Sequence, residues 1–176
     1  MRRLATLLAL VAALFAATAQ AHVVVSFYSV PGSVLTGRSV HAFVTLTGTL
    51  DGTGQAVNEN YGFSAKTWNP AGFFRPVPQT MLIEKPEYIA RARYHFRTAI
   101  SDAAYHRIVS EVQLWWRDPA HLWDIDRRNC VTFVGVVAQM SGLKADFPPK
   151  LMRKPRQYLD RVATLNPQLE TAAKSR

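Results

Sequence analysis

The sequence predicts an α+β domain, a small antiparallel sheet packed against a helix that opens at Cys130. Three observations predict it. Residues 38–47 alternate, with Val40, Ala42, Val44 and Leu46 on one face and Ser39, His41, Phe43 and Thr45 on the other, the period of a strand. The turn Asp51-Gly52-Thr53-Gly54 follows at once, so the next segment returns as a hairpin. Tyr105, Ile108, Val109, Val112, Trp115 and Trp116 recur at helical spacing, and a second such pattern follows Asn129 through Val131, Phe133, Val134 and Val137.

Taken in order, the chain begins with Arg2 and Arg3, an apolar run over residues 4–17 and the small-x-small site Ala19-Gln20-Ala21. This is the pattern of a secretory signal peptide, with His22 the expected mature N-terminus. Residues 23–28 are apolar and β-branched, and Pro31-Gly32 stops them, which reads as a strand and turn. Residues 55–64 are the third strand, carrying Asn58, Glu59, Asn60, Tyr61 and Ser64. Residues 66–78 hold Trp68, Phe73, Phe74 and several prolines. They read as a loop, with packing onto the body favoured over ligand contact. Residues 91–97 read as a strand with Ala92, Tyr94 and Phe96 inward and Arg93, His95 and Arg97 outward, making His95 a solvated residue.

Ser101 is placed to N-cap the first long helix, whose Trp pair belongs to the core, and Asp118-Pro119 ends it. The Cys130 helix closes at Gly142, a C′ glycine. Residues 147–155 are Pro- and Lys/Arg-rich and read as a linker; Pro155 can start a last short helix with Tyr158, Leu159 and Val162 inward. The tail after Pro167 reads as frayed. The organisation expected is a signal peptide over 1–21, one domain over 22–166 and a flexible tail over 167–176.

Composition narrows the function classes. The formal net charge is +9, and loss of Arg2 and Arg3 leaves +7. A basic exported protein meets anionic lipid, lipopolysaccharide or wall polymer; no nucleic-acid motif is present. There is no second apolar stretch that could span a membrane, and with no glycine-rich phosphate loop and no metal-spaced Cys/His cluster, no cofactor or metal is expected. The expected protein is soluble and periplasmic or secreted. The sole cysteine, Cys130, has no disulfide partner in the chain, and an odd cysteine in an exported protein is either a thiol with a job or a buried inert one.

Asn129 is a strong N-cap, which puts Cys130 at the first helical position. There the unsatisfied N–H groups and the helix dipole favour negative charge, so a thiol loses its proton more readily. The backbone N–H of Cys130 is a natural oxyanion donor. A cysteine hydrolase also needs a base that reprotonates the leaving group. His41, in mid-strand on a rigid element, suits that role, although a lone strand histidine is commonly structural.

The order of these segments carries a resemblance. A strand reading Val40-His41-Ala42-Phe43-Val44, a polar-aromatic strand with Asn60-Tyr61-Gly62-Phe63 and a helix opening Asn129-Cys130-Val131-Thr132-Phe133 resemble the circularly permuted papain-like thiol hydrolases. These include the lecithin:retinol acyltransferase type, the permuted NlpC-like peptidases and bacterial exported proteins with an Asn-Cys-x-x-Phe helix. The resemblance covers about residues 39–143. It implies a papain-like domain in permuted order, Cys130 as nucleophile and His41 as base. The third group would come from the strand after the histidine. Glu59 is the strongest electrostatic candidate, and Asn60 or Ser64 could orient the ring without charge. Asp126 could bind Arg127, Arg128 or the helix end.

The function expected is an exported cysteine peptidase or amidase, a thiol protease of the cell wall, acting on wall peptide. Its rivals are a lipid acyltransferase or lipase-like enzyme with the same pair, suited by the aromatic loop and basic charge to an anionic membrane surface, and a non-catalytic binding module in which Cys130 is structural.

Overall fold

A computed structural model describes residues 23–32, 40–67, 70–117 and 122–171. The signal-peptide, Trp68 and Asp118-Pro119 readings lie outside them. Among the described residues the chain forms a mixed α+β fold: an open antiparallel sheet of order β4-β3-β2-β1-β5-β6 with four α-helices. The strands are β1 (Val23–Val30), β2 (His41–Thr49), β3 (Ala56–Ala65), β4 (Gln79–Leu82), β5 (Arg93–Ile100) and a two-residue edge, β6 (Glu170–Thr171). The helices are α1 (Pro86–Arg91), α2 (Asp102–Arg117), α3 (Cys130–Met140) and α4 (Pro155–Leu165). None is long and apolar enough to cross a membrane.

The central strands carry β-branched and aromatic residues, which fit a pleated surface covered on both sides. On one face Val25, Phe27, Val44, Leu46 and Phe63 form a core with Ile108 and Val112 of α2, Phe133 and Val137 of α3, and Tyr158 and Leu159 of α4. On the other, Phe43 stacks on Tyr28 at 5.3 Å, and Tyr88 of α1 lies 5.9 Å from Phe43. That second layer explains why His41, Phe43 and Thr45 are buried along with Ala42 and Val44. Val40 departs from the expected pattern: it stands before the strand and is 47% exposed.

β3 returns antiparallel to β2, as the turn chemistry predicts, with Val44 opposite Tyr61. β4 and α1 were not foreseen. Both are short, and the start signal for α1 is only Pro86 at its first position.

His95 corrects the outward reading of β5: it is 5% exposed. The pairing Phe27 with Phe96 is followed by Tyr28 with Tyr94, so His95 is the extra residue of a β-bulge and the alternation breaks there. Its ring bonds Ser29 Oγ at 2.7 Å and Asp160 of α4 at 3.0 Å.

Three further expectations are corrected. Trp115 is core, but Trp116 on the next face is 45% exposed. The 147–155 stretch is no free linker: it contains a 3₁₀ turn at Pro149–Leu151, and the Met152 side chain is buried. The tail is ordered as far as β6, because Leu169 is buried and β6 pairs with β5.

Candidate active site

The site is built around the first turn of α3. Asn129 Oδ1 accepts from the Val131 and Thr132 N–H groups at 2.8 and 3.2 Å, and Thr132 Oγ1 accepts in return from the Asn129 N–H at 2.8 Å. This reciprocal capping box satisfies helix-end donors within four residues of chain. It leaves the Cys130 N–H, at the first helical position, outside the cap. The Asn129 amide donates to the Ile125 and Met152 carbonyls, the latter at 2.9 Å. The cap thus also fastens the 149–152 turn beside the thiol. At the far end Gly142 adopts φ +81°, a conformation open to glycine, and Leu143 N–H closes onto the Ala138 carbonyl at 3.0 Å.

His41 opens β2 at the end of the sheet where the N-terminus of α3 arrives. His41 and Cys130 line one cavity of about 220 Å³. The ring lies over Gly62 of β3. A Cβ on Gly62 would land on His41 Nε2 and stand 3.1 Å from Phe43 Cβ, so only glycine leaves the ring its place.

Behind the ring stands Glu84, in the short connection between β4 and α1. Its Oε1 lies 3.3 Å from His41 Nε2, with both side chains almost fully buried. Neither atom has a hydrogen-bond partner. It is a charge contact. Asn60 holds this carboxylate in place: its side chain receives the Glu84 N–H at 2.5 Å and donates to the Glu84 carbonyl at 3.1 Å. A side-chain amide that pairs both backbone groups of one residue fixes that residue as a strand neighbour would.

Burial opposes charge on His41, but the neighbouring Cys130 and then Glu84 outweigh it, and the imidazole is pushed up to about 9. The surroundings therefore favour the charged form of His41.

Glu59, expected as the third group, is not at His41. It lies one residue from Asn60 and so on the opposite face of β3, where it accepts from Tyr61 and Tyr105 hydroxyls at 2.9 Å each. Asn60 takes part as the clamp on Glu84 rather than on the ring. Ser64 lines the cavity. Asp126 is held chiefly by a two-pronged contact with Arg153 at 2.6 and 2.7 Å, with Arg127 a lesser charge beside it. Glu84 is remote in sequence from both partners, so no local pattern points to it. No group of three or more His, Cys, Asp or Glu side chains suited to a metal occurs among the described residues.

Comparison with family models, with curated proteins and with solved structures found no match to this chain.

Proposed function

We propose that this protein is an exported cysteine hydrolase, of the permuted papain-like kind its motifs resemble, with Cys130, His41 and Glu84 as its working set. The observation that carries the reading is the meeting of Cys130 and His41, 89 positions apart in sequence, in one cavity with a buried carboxylate behind the imidazole. Nothing local joins them, and core packing alone does not ask for a charged pair there.

The chemistry follows from the parts. The Cys130 thiolate, next to the imidazolium, attacks the carbonyl carbon of an amide or ester. The oxyanion that forms points to the first N–H of α3. As the tetrahedral species collapses, His41 gives its proton to the leaving amine or alkoxide, and a thioester remains on Cys130. Water then enters, His41 takes its proton, and the acid is released with the thiol restored. Glu84 keeps the ring charged and aimed. The signal-peptide pattern over 1–21 supports a substrate in the cell envelope or outside the cell.

The test is hydrolysis by purified protein of amide and ester substrates, with Cys130→Ala and His41→Ala. Each substitution should cost at least about 10³-fold, and the double substitution little more, since the pair acts as one unit. Full activity in folded His41→Ala protein would refute the assignment. Export is checked separately: mass spectrometry of envelope-purified protein should find His22 at the N-terminus.

A further inference from the structure

Resting on that catalytic reading, we infer that Arg153 selects the substrate: an N-acylated apolar α-amino acid, whose free carboxylate Arg153 binds and whose side chain fills the cavity. The thiol opens into an apolar space walled by Phe63, Phe73, Trp123, Ile125 and Met152. At about 220 Å³ the space is smaller than the roughly 300–1,000 Å³ of a site that encloses a whole small ligand. It takes one compact apolar group, with the remainder of the substrate outside. Among the described residues lining it, only His41 and Arg153 have a side chain that can carry positive charge. His41 serves the reaction, which leaves Arg153 for recognition.

Arg153 is held at the wall from two sides. Asn129, next to Cys130 in the chain, donates to the carbonyl of Met152, next to Arg153, at 2.9 Å. That bond sets the start of α3 beside the segment that carries Arg153. Asp126 accepts from Arg153 Nε at 2.6 Å and from Nη2 at 2.7 Å. The contact occupies one edge of the planar guanidinium and fixes its plane. It does not use the Nη1 donors, which remain for a second acceptor. The side chain is 49% exposed, so a ligand reaches it. The surrounding charge favours an anion as well. Residues 124–128 and 150–156 hold six Lys or Arg and two Asp, so Asp126 does not cancel the local field.

Position narrows the class. Met152 and Arg153 are consecutive, so the apolar group and the anion of the substrate must branch from neighbouring atoms. An α-amino acid with an apolar side chain carries both on the carbon that also bears its nitrogen, and acylation of that nitrogen makes the scissile amide. A carboxylate is flat and accepts paired N–H donors, the match for a guanidinium. In the reaction Cys130 Sγ bonds to the acyl carbonyl carbon and the C–N bond breaks. The nitrogen takes the His41 proton and leaves as the free amino acid. Water then splits the thioester, freeing the acyl acid and restoring the thiol.

The test compares two amides that differ in one group. N-acetyl-leucine and N-isopentylacetamide share the acyl group, the scissile bond and the apolar side chain, and only the first has a carboxylate. Wild-type kcat/KM should be at least about tenfold higher for N-acetyl-leucine, and the advantage should shrink as sodium chloride screens the contact. Arg153→Gln should raise KM for N-acetyl-leucine about tenfold with a much smaller change in kcat. Arg153→Lys, which keeps the charge without the fork, should recover part of that loss. Equal values for the two amides in wild type, or a preference that survives in folded Arg153→Gln protein, would overturn the role of Arg153 and leave the hydrolase standing. So would cleavage of nitrophenyl acetate with no release of leucine from N-acetyl-leucine. A Cys130 inert to both amides, to nitrophenyl esters and to iodoacetamide would overturn both readings.

Discussion

At the scale of single residues the site depends on an absent side chain and a distant carboxylate. Gly62 is required because the His41 ring occupies the space its Cβ would fill. Gly62→Ala must push the ring off the thiol or push the strands apart, an overpacking of about 1–3 kcal/mol. The expected outcome is a folded protein by circular dichroism with hydrolysis down at least about 100-fold. Glu84→Gln keeps the shape and removes the charge that helps hold His41 near 9. Proton donation to the leaving group requires imidazolium, so wild-type acylation should fall as pH rises through about 9. In Glu84→Gln that alkaline limb moves to lower pH. Glu59→Gln, on the other face with its two tyrosines, should leave the limb where it is. A pH–rate profile of kcat/KM for the three proteins decides the point, and an unmoved limb in Glu84→Gln would remove Glu84 from the site.

At the scale of elements, α3 is presented by its cap. The Asn129 side chain closes the first turn and also ties the Ile125 and Met152 carbonyls. Asn129→Ala loses a cap, typically about 1 kcal/mol, and leaves buried carbonyls without donors at about 1–3 kcal/mol. Thermal unfolding should show a Tm lower by several degrees, together with slower alkylation of Cys130 by iodoacetamide as the first turn loosens. Thr132→Val, which breaks only the returning half of the box, should lower Tm less. Equal losses in the two variants would mean that the tie to the 149–152 turn contributes nothing.

At the scale of the whole molecule two buried histidines give stability opposite dependences on pH. His41 is raised above its ordinary 6.5 to about 9, so its contribution is complete below pH 6.5 and lost as pH climbs through about 9. His95 is lowered, first by burial, with Arg93 and Arg156 working against Asp160. Its contribution is present above pH 6.5 and lost as pH falls through its depressed value. His95 joins the β-bulge to α4 through Ser29 and Asp160, away from the cavity, so its role is structural. His95→Gln should destabilise the protein at neutral pH by about 1–3 kcal/mol and flatten the loss of stability on acidification. Urea unfolding across pH 5–10 reads both limbs. A wild-type acid limb that survives unchanged in His95→Gln would assign it to other groups.

What the sequence determined by itself is what depends on neighbours along the chain. The alternation over β2, the turn at Gly54, the helical spacing of α2 and the Asn129–Thr132 box all act within a few residues, and so the α+β class and the place of Cys130 at a helix start were legible. So were His41 on a rigid strand and Tyr158, Leu159 and Val162 as the buried side of α4. Tertiary structure alone decided the rest. Glu84 reaches His41 because β4 pairs with β3 and Asn60, 24 positions away, clamps its backbone. His95 turns inward because β1 and β5 pair with one residue in excess on β5. Met152 and Leu169 are held by elements remote from them in sequence, which is why their segments read as linker and tail. Hydrogen bonds and periodicities of short range are written in the order of residues; a bulge, a clamp or a carboxylate behind an imidazole exists only once strands distant in sequence have paired, because pairing selects which face each side chain meets.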